Sequence, residues 1–291
     1  MNGALFLSRP NYELAPAASR GLLRGLWRRR SGRFGLLLAA LLCAAAMGGN
    51  LVWRAEPARM NLSQKLLPPS LSHPLGTDQF GRDQLARILE GGRRSLGAAL
   101  IVLAGVLVIS LAIGIAAGMI GGWPGTILMR AVDVLLAMPA LVLALAVMGV
   151  LGVGFGNLLL ALTASLWAYY ARLARSSVRL ARARQDVIAA RLAGIGWLRI
   201  VAGHIVPGTA TQLAIVATLD LGGVIIGIAG LSFLGLGVQP PDAEWGAMLA
   251  ESRLYFTVAP WLLAAPAAAI FLSVVAANLI GNALRDASEV R

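Results

Sequence analysis

The chain has 291 residues, of which 58% are apolar and 13% are charged, and its mean hydropathy is +0.77. Ordinary globular domains carry about 25% charged residues. This composition excludes a disordered chain, argues against a soluble enzyme and predicts several membrane-spanning helices. The formal net charge is +12. Because the basic residues cluster beside apolar runs, they indicate orientation in a membrane rather than binding to nucleic acid.

Two kinds of site are excluded by residue counts. Lys65 is the only lysine, and no Gly-x4-Gly-Lys-Ser/Thr sequence surrounds it, so this chain has no Walker A loop for ATP. One cysteine and two histidines exclude an intrachain disulfide and a Cys/His metal cluster. We therefore expect a chain that needs no cofactor and does no bond chemistry.

Six apolar runs of about 16–27 residues predict an all-α membrane protein with six transmembrane helices. They cover residues 34–53, 95–121, about 134–153, 155–170, about 211–231 and 260–284. The first run is expected to be a transmembrane helix between a basic tail (1–33) and a loop (54–94). A five-helix core (95–284) then precedes a short tail (285–291). A cleavable signal peptide is the alternative interpretation of the first run.

The charges of the connecting segments predict the orientation. The tail 1–33 and the loop 172–207 each carry seven arginines and one acid, whereas the loop 232–259 carries one arginine and three acids. Positive segments stay in the cytoplasm, which places both termini and 172–207 inside and 232–259 outside. The loop 54–95, with seven basic and four acidic residues, does not follow this rule.

The cytoplasmic loop has the composition of a docking surface. It is basic and partly apolar, and it is predicted to form two short helices joined by a turn at Gly194–Gly196. A cytoplasmic partner would bind it. An interfacial helix lying on anionic lipid is the alternative.

This loop resembles the "EAA" loop of ATP-binding-cassette importer permeases. Ala189, Ala190, Gly194 and Pro207 stand at the spacing of that motif. In that family the loop forms a coupling helix that sits in a groove of the ATPase subunit. The resemblance implies a type I importer permease core, with coupling residues Asp186, Ala189, Ala190, Arg191, Gly194, His204 and Pro207. Ile188, His204 and Val206 depart from the usual Glu, Ile and Leu.

Two further motifs resemble the C-type permease of dipeptide, oligopeptide and nickel importers. The first is similar to "LGTDxxGRD" and contains Gly76, Thr77, Asp78, Gly81, Arg82 and Asp83. The second is similar to "LSFLGLGxxPPxxEWG" and contains Ser232, Phe233, Gly235, Gly237, Glu244, Trp245 and Gly246. We expect Asp78, Arg82 and Asp83 either to contact a substrate-delivering protein or to make hydrogen bonds that stabilise their loop.

The resemblance implies a subunit of a bacterial inner-membrane importer. Its partners would be a second permease subunit, two cytoplasmic ATP-binding subunits, an extracytoplasmic substrate-binding protein and the lipid bilayer. ATP hydrolysis would belong to the partner chains. The cargo would be nickel, a metal chelate or short peptides. An ion-gradient-driven secondary transporter is the alternative function, and it would require internal repeats that are not visible here. A membrane scaffold without a transport role is a third possibility.

Asp220 is the one acid placed well inside a predicted span. A carboxylate there costs roughly 2.5–3.5 kcal/mol on insertion scales, which makes it a candidate functional residue. It could line the translocation path and favour a cationic cargo. The alternative is a buried Asp that is hydrogen-bonded to Thr218, Ser232 or a backbone group of a partner. One carboxylate is not a metal site by itself.

Three glycines repeat every four residues, at Gly114, Gly118 and Gly122, and predict close helix packing within the chain or against a partner. Arg130 and Asp133 are spaced for a local ion pair, and a role in gating is the alternative.

Overall fold

A computed structural model describes residues 25–289 of the chain. We number the helices in chain order and list them here: α1 (Arg30–Val52), α2 (Gln84–Ile120), α3 (Gly122–Leu136), α4 (Ala140–Leu151), α5 (Phe155–Arg182), α6 (Gln185–Leu192), α7 (Trp197–Ile200), α8 (Val206–Phe233), α9 (Trp245–Ser252) and α10 (Trp261–Glu289). Among the described residues no β-strand forms, and one isolated antiparallel bridge joins Thr77 and Asp83. The predicted all-α fold is confirmed. Most of the basic tail 1–33 lies outside the described residues.

Within residues 25–289, four helical segments are long and apolar enough to cross a membrane: Arg30–Gly49, Gln84–Ile120, Trp197–Phe233 and Trp261–Ser288. The pair α3 and α4 would make a fifth span if it counts as one. The α5 helix has 28 residues, but its second half is rich in arginine. The multi-pass architecture is therefore established, while the count of six spans stays a prediction.

The apolar run at 134–153 was predicted to be a single helix, and this is wrong. The axes of α3 and α4 meet at 90°. Pro139 stands at the N-cap of α4 and cannot donate a backbone hydrogen bond to a continuing helix. The residue before a proline also avoids the helical region, so the helix ends before Pro139 and restarts in a new direction.

Two of the three spaced glycines bring α2 and α5 into close contact. A Cβ at Gly114 would collide with Ala174, and a Cβ at Gly118 would lie 2.7 Å from Val178. The backbones therefore approach as small residues allow, and the predicted packing within the chain is confirmed for this pair. Gly122 does not belong to the stripe, because α2 ends at Ile120 and Gly122 begins α3.

The predicted loop 172–207 is largely helical. The α5 helix continues through its first residues to Arg182, and α6 and α7 follow as the two predicted short helices. The α7 helix then continues through a π-helical turn (Val201–Ile205) into α8. The loop is therefore a compact helical hairpin attached to two long helices.

Candidate translocation cavity and coupling surface

A cavity of about 880 Å³ opens among α3, α4, α5 and α8. Leucine, isoleucine, glycine and other apolar residues make up most of its wall. Four residues add polar groups: Ser165, Tyr169, Tyr170 and Asp220. Ser165 donates to the carbonyl of Ala161 in its own helix, so its hydroxyl is already engaged. The polar chemistry that this wall offers to a ligand is concentrated at the tyrosines and the carboxylate.

Asp220 is exposed to this cavity and accepts a 2.7 Å hydrogen bond from the Tyr170 hydroxyl. Of the alternative partners expected for it, Thr218 donates instead to the carbonyl of Ala214, and Ser232 Oγ has no hydrogen-bond partner among the described residues. A bond to a backbone group of a partner chain stays a prediction. Asp220 lies near the middle of α8, about 20 Å from either end. One carboxylate with one phenol can hold a cationic group. Among the described residues, no three His, Cys, Asp or Glu side chains gather as they would around a metal ion.

The hairpin of α6 and α7 (185–200), which we call the coupling hairpin after its predicted role, has one buried and one exposed side. Val187 and Ala190 pack with Val178, Ile200 and Ile205 into a small apolar cluster. This cluster fixes the hairpin to the ends of α5 and α8.

On the other side, large apolar side chains face outward. Leu192 is 85% exposed and Leu198 is 82% exposed, while Ile188 is 44% exposed. Exposed apolar groups of this size on a short helical hairpin are typical of a protein contact.

The turn of the hairpin depends on Gly194. It has φ +75°, a left-handed conformation that favours glycine, and its N–H donates to the carbonyl of Arg191. The N–H of Ile195 donates to the carbonyl of Ala190 and closes the end of α6. Space around Gly194 and Gly196 is open, so only the backbone conformation distinguishes the two glycines.

The remaining predicted coupling residues occupy different places. Asp186 lies in the first turn of α6 and pairs with Arg184 at 3.0 Å. Ala189 and Arg191 are exposed on α6. His204 lies in the π-helical turn, and its Nδ1 is buried with no hydrogen-bond partner in the described part of the chain. Pro207 stands in the first turn of α8.

The first C-type motif forms a buried ion cluster at the opposite end of the bundle. Arg82 contacts Asp78 at 2.5 Å and Glu251 at 2.7 Å. Arg87 also contacts both carboxylates, with Glu251 at 2.9 Å. The side chains of Asp78, Arg82 and Arg87 are at most 3% exposed. The motif residues thus stabilise their own loop, which is the second of the two expected roles. Arg87 and Glu251 were missed by sequence analysis.

Asp83 and the motif glycines shape the same loop. Asp83 caps α2 by accepting from the N–H of Ala86, and it also accepts from the indole N–H of Trp53 at 2.9 Å. His73 contacts its other oxygen at 2.8 Å. Gly81 has φ +71°, and a Cβ there would collide with the carbonyl of Asn61. Thr77 donates to the carbonyl of Gln64, and Gly76 packs against Trp261.

The second motif packs beside this loop. Glu244 is fully buried, caps α9 by accepting from Ala247 N–H at 3.0 Å, and accepts from Ser95 Oγ at 2.8 Å. Trp245 donates its indole N–H to the carbonyl of Ile88 at 3.0 Å. Both motifs are therefore fixed to the first turns of α2.

Close backbone contacts account for the glycines of this motif. A Cβ at Gly246 would collide with Ala229, and one at Gly237 would collide with Ser232. Gly235 has φ +83° just after the end of α8, where Phe233 is partly exposed at 38%.

Comparison of the sequence with known proteins shows the family of this chain. Residues 110–291 match the family model described as "Binding-protein-dependent transport system inner membrane component". The chain belongs to this family. The chain is therefore a permease subunit of an ATP-binding-cassette importer and a multi-pass inner-membrane protein, which confirms the main prediction over a secondary transporter.

Several curated relatives cover nearly the whole chain. The nickel transport system permease protein NikC of Escherichia coli K12 is 41% identical over 258 residues, covering 89% of this chain and 93% of the relative. The di/tripeptide transport system permease protein DppC of Pseudomonas aeruginosa is 41% identical over 263 residues, covering 87% of this chain and 86% of the relative. The dipeptide transport system permease protein DppC of Alkalihalophilus pseudofirmus is 35% identical over 268 residues, covering 92% of this chain and 88% of the relative.

One predicted contact is wrong. Asp133 does not pair with Arg130 in its own helix but with Arg172 of α5, at 2.5 Å. The pair therefore joins the bent span to the basic half of α5.

Proposed function

We propose that this permease subunit pairs with a second permease, binds two cytoplasmic ATP-binding subunits and receives cargo from an extracytoplasmic binding protein. The coupling hairpin would contact the ATPase, and the cavity beside Asp220 would form part of the translocation path. Both termini and the hairpin would lie in the cytoplasm. The family assignment, the exposed apolar side of the hairpin and its direct continuation into α8 support this proposal.

We further propose a cationic cargo of the nickel or metal-chelate class, with short peptides as the second candidate. The observation that carries this is the Asp220 carboxylate, held by Tyr170 on a wall that is otherwise almost entirely apolar. A negative charge in such surroundings attracts a positive ligand more strongly than it would in water. The relatives include a nickel transport permease and a di/tripeptide transport permease, so both cargo classes occur among similar chains.

Asp220→Asn tests the cargo proposal. Uptake of radioactive nickel and of a labelled dipeptide would be measured in cells from which the chain is deleted and then restored. We expect Asp220→Asn to lower nickel uptake about tenfold or more, because one charge contact in a partly buried site contributes more than about 1.4 kcal/mol. Thr218→Val is the matched control, since its hydroxyl serves only its own helix. Normal nickel uptake by Asp220→Asn would overturn the cationic-cargo proposal.

Gly194→Ala tests the coupling proposal, with Gly196→Ala as its control. Both glycines have open space around them, but only Gly194 is left-handed. An L-residue there costs about 1–2 kcal/mol and distorts the turn. We expect Gly194→Ala to reduce cargo-stimulated ATP hydrolysis of the reconstituted importer, and Gly194→Arg to abolish it, while membrane insertion stays normal. Intact coupling in Gly194→Arg would show that the hairpin does not transmit the ATPase motion.

A further inference from the structure

The cytoplasmic half of α5 carries a row of arginines that the transport proposal does not use. Arg175, Arg179 and Arg182 follow one another at spacings of four and three residues, so they lie on one face of the helix. Together with the end of α2 and the first turn of α3, they line a cavity of about 410 Å³. A second cavity of about 480 Å³ shares Arg175 and Arg179 with the first.

In the part of the chain that the structure describes, no acidic side chain neutralises the positive charge of this cavity, because none lines it or the second cavity. The Nε of Arg175 is buried and has no hydrogen-bond partner among the described residues. Buried cationic nitrogens are normally paired, which makes an unpartnered one a sign of an anionic ligand.

The rest of the cavity is built to stay open. Arg182 donates to the carbonyls of Gly118 at 2.9 Å and Met119 at 3.2 Å, so this arginine fixes the end of α2. Gly121 and Gly122 both have positive φ, and with no side chains they leave the floor beside the arginines empty. Thr126 adds a hydroxyl to the wall. The cavity combines guanidinium donors, a hydroxyl and room for a compact anion.

An apolar strip lies beside the cavity. Trp123 is 76% exposed, Ile120 is 63% exposed and Ile127 is 58% exposed. All three lie at the α2–α3 junction, within a few residues of the glycines of the cavity floor. In an integral membrane protein an exposed tryptophan next to a basic cluster is typical of the depth of the lipid headgroups.

We propose that this cavity binds the phosphate of an anionic phospholipid, with the acyl chains lying along Ile120, Trp123 and Ile127. The phosphate would contact Arg175 and Arg179, while Arg182 keeps the cavity in shape. Guanidinium groups suit phosphate because their N–H donors match its oxygens in pairs. The adjacent apolar strip favours a lipid over an acidic surface of the ATPase, whose expected contact is the exposed side of the coupling hairpin. The proposal depends on membrane insertion but not on the identity of the cargo.

The test measures lipid binding to the full-length chain in neutral detergent by native mass spectrometry. Phosphatidylglycerol and phosphatidylcholine would be offered in equal amounts. We expect phosphatidylglycerol to be retained preferentially, and its retention to fall roughly tenfold or more in Arg175→Gln/Arg179→Gln, since each arginine near a membrane surface contributes about fivefold. Arg59→Gln removes an exposed arginine of the loop between α1 and α2, away from the proposed cavity, and should leave retention unchanged.

Several outcomes would overturn the proposal. They are equal retention of the two lipids, undiminished phosphatidylglycerol binding by the double variant, and loss of ATPase association by that variant while lipid is kept. Displacement of the lipid by millimolar inorganic phosphate at low salt would assign the cavity to free phosphate instead. If the double variant cannot be purified, Arg179→Gln alone should lower retention several-fold. In addition, lipid retention by the unaltered chain should weaken as salt is raised, and its insensitivity to salt would contradict a phosphate contact.

Discussion

Replacing Glu251 by glutamine would unbalance the buried ion cluster. Glu251 contacts Arg82 at 2.7 Å and Arg87 at 2.9 Å, and Asp78 is the other carboxylate of the cluster. The cluster holds two positive and two negative side chains, so Glu251→Gln leaves one buried guanidinium charge uncompensated. The segment that begins at Gly76 would then lose part of its attachment to the end of α9.

The burial of the Glu251 side chain determines how much stability this substitution costs. Removing one partner from a buried ion pair costs about 3–5 kcal/mol. The Glu251 side chain is 16% exposed, so water compensates in part, and we expect a loss of about 2–3 kcal/mol. Asp242→Asn is the control, because Asp242 pairs with Arg94 at 3.0 Å and its side chain is 57% exposed. That surface pair should contribute about 0–1 kcal/mol.

Thermal unfolding in detergent, followed by loss of the monodisperse peak in size-exclusion chromatography, would compare the two variants. We expect the apparent Tm to fall by about 5–10 °C for Glu251→Gln and by at most a few degrees for Asp242→Asn. The double variant Arg82→Met/Glu251→Met leaves Asp78 and Arg87 as a neutral pair. Its loss in free energy of unfolding should therefore be smaller than the sum of the losses of the two single variants. Equal Tm values for Glu251→Gln and Asp242→Asn, or strictly additive losses, would refute the role assigned to the cluster.

Three further outcomes follow from the packing. Gly114→Val should cost about 1–3 kcal/mol by forcing α2 away from α5, whereas Gly97→Val, in open space, should leave the apparent Tm nearly unchanged. Glu244→Ala removes the buried cap of α9 and should lower the apparent Tm through a loss of about 2 kcal/mol, and an unchanged Tm would contradict the capping role. Tyr170→Phe removes the hydroxyl that donates to the Asp220 carboxylate, so it should weaken cation uptake several-fold in the uptake assay. Tyr169→Phe, which removes no such bond, should leave uptake unchanged.

Much of the helical architecture could be predicted because apolar runs report burial in a bilayer directly. The ends of the helices were harder to predict than their existence. Hydropathy marks where a helix leaves the apolar layer, but α5 continues to Arg182 because arginine is a good helix former. The break before α4 had a signal in Pro139, which an uninterrupted run of apolar residues concealed.

The candidate site was predictable only where a motif is contiguous in the chain. Gly194 could be assigned to a turn from its neighbours alone, and the structure gives it the conformation that such a turn needs. Arg87 and Glu251 are 164 positions apart, and Tyr170 and Asp220 are 50 apart. Nothing in a single sequence indicates that two such distant residues meet, because their contact depends on how the helices pack. Sequence analysis therefore identified Asp220 as a candidate but could not identify Tyr170 as its hydrogen-bond partner.

The unbroken helix from Trp197 to Phe233 has a mechanical consequence. It contains 37 residues and is about 55 Å long, with the coupling hairpin at one end and Asp220 about two-thirds of the way along. A torque applied at Trp197 reaches Asp220 through backbone hydrogen bonds, without a relay of side chains. The π-helical turn at Val201–Ile205 holds one more residue per turn than the rest, and a change of one residue in its winding would rotate everything beyond it by about 100°. Under the proposed coupling role of the hairpin, rotation of this helix would carry the carboxylate of Asp220 around the wall of the cavity.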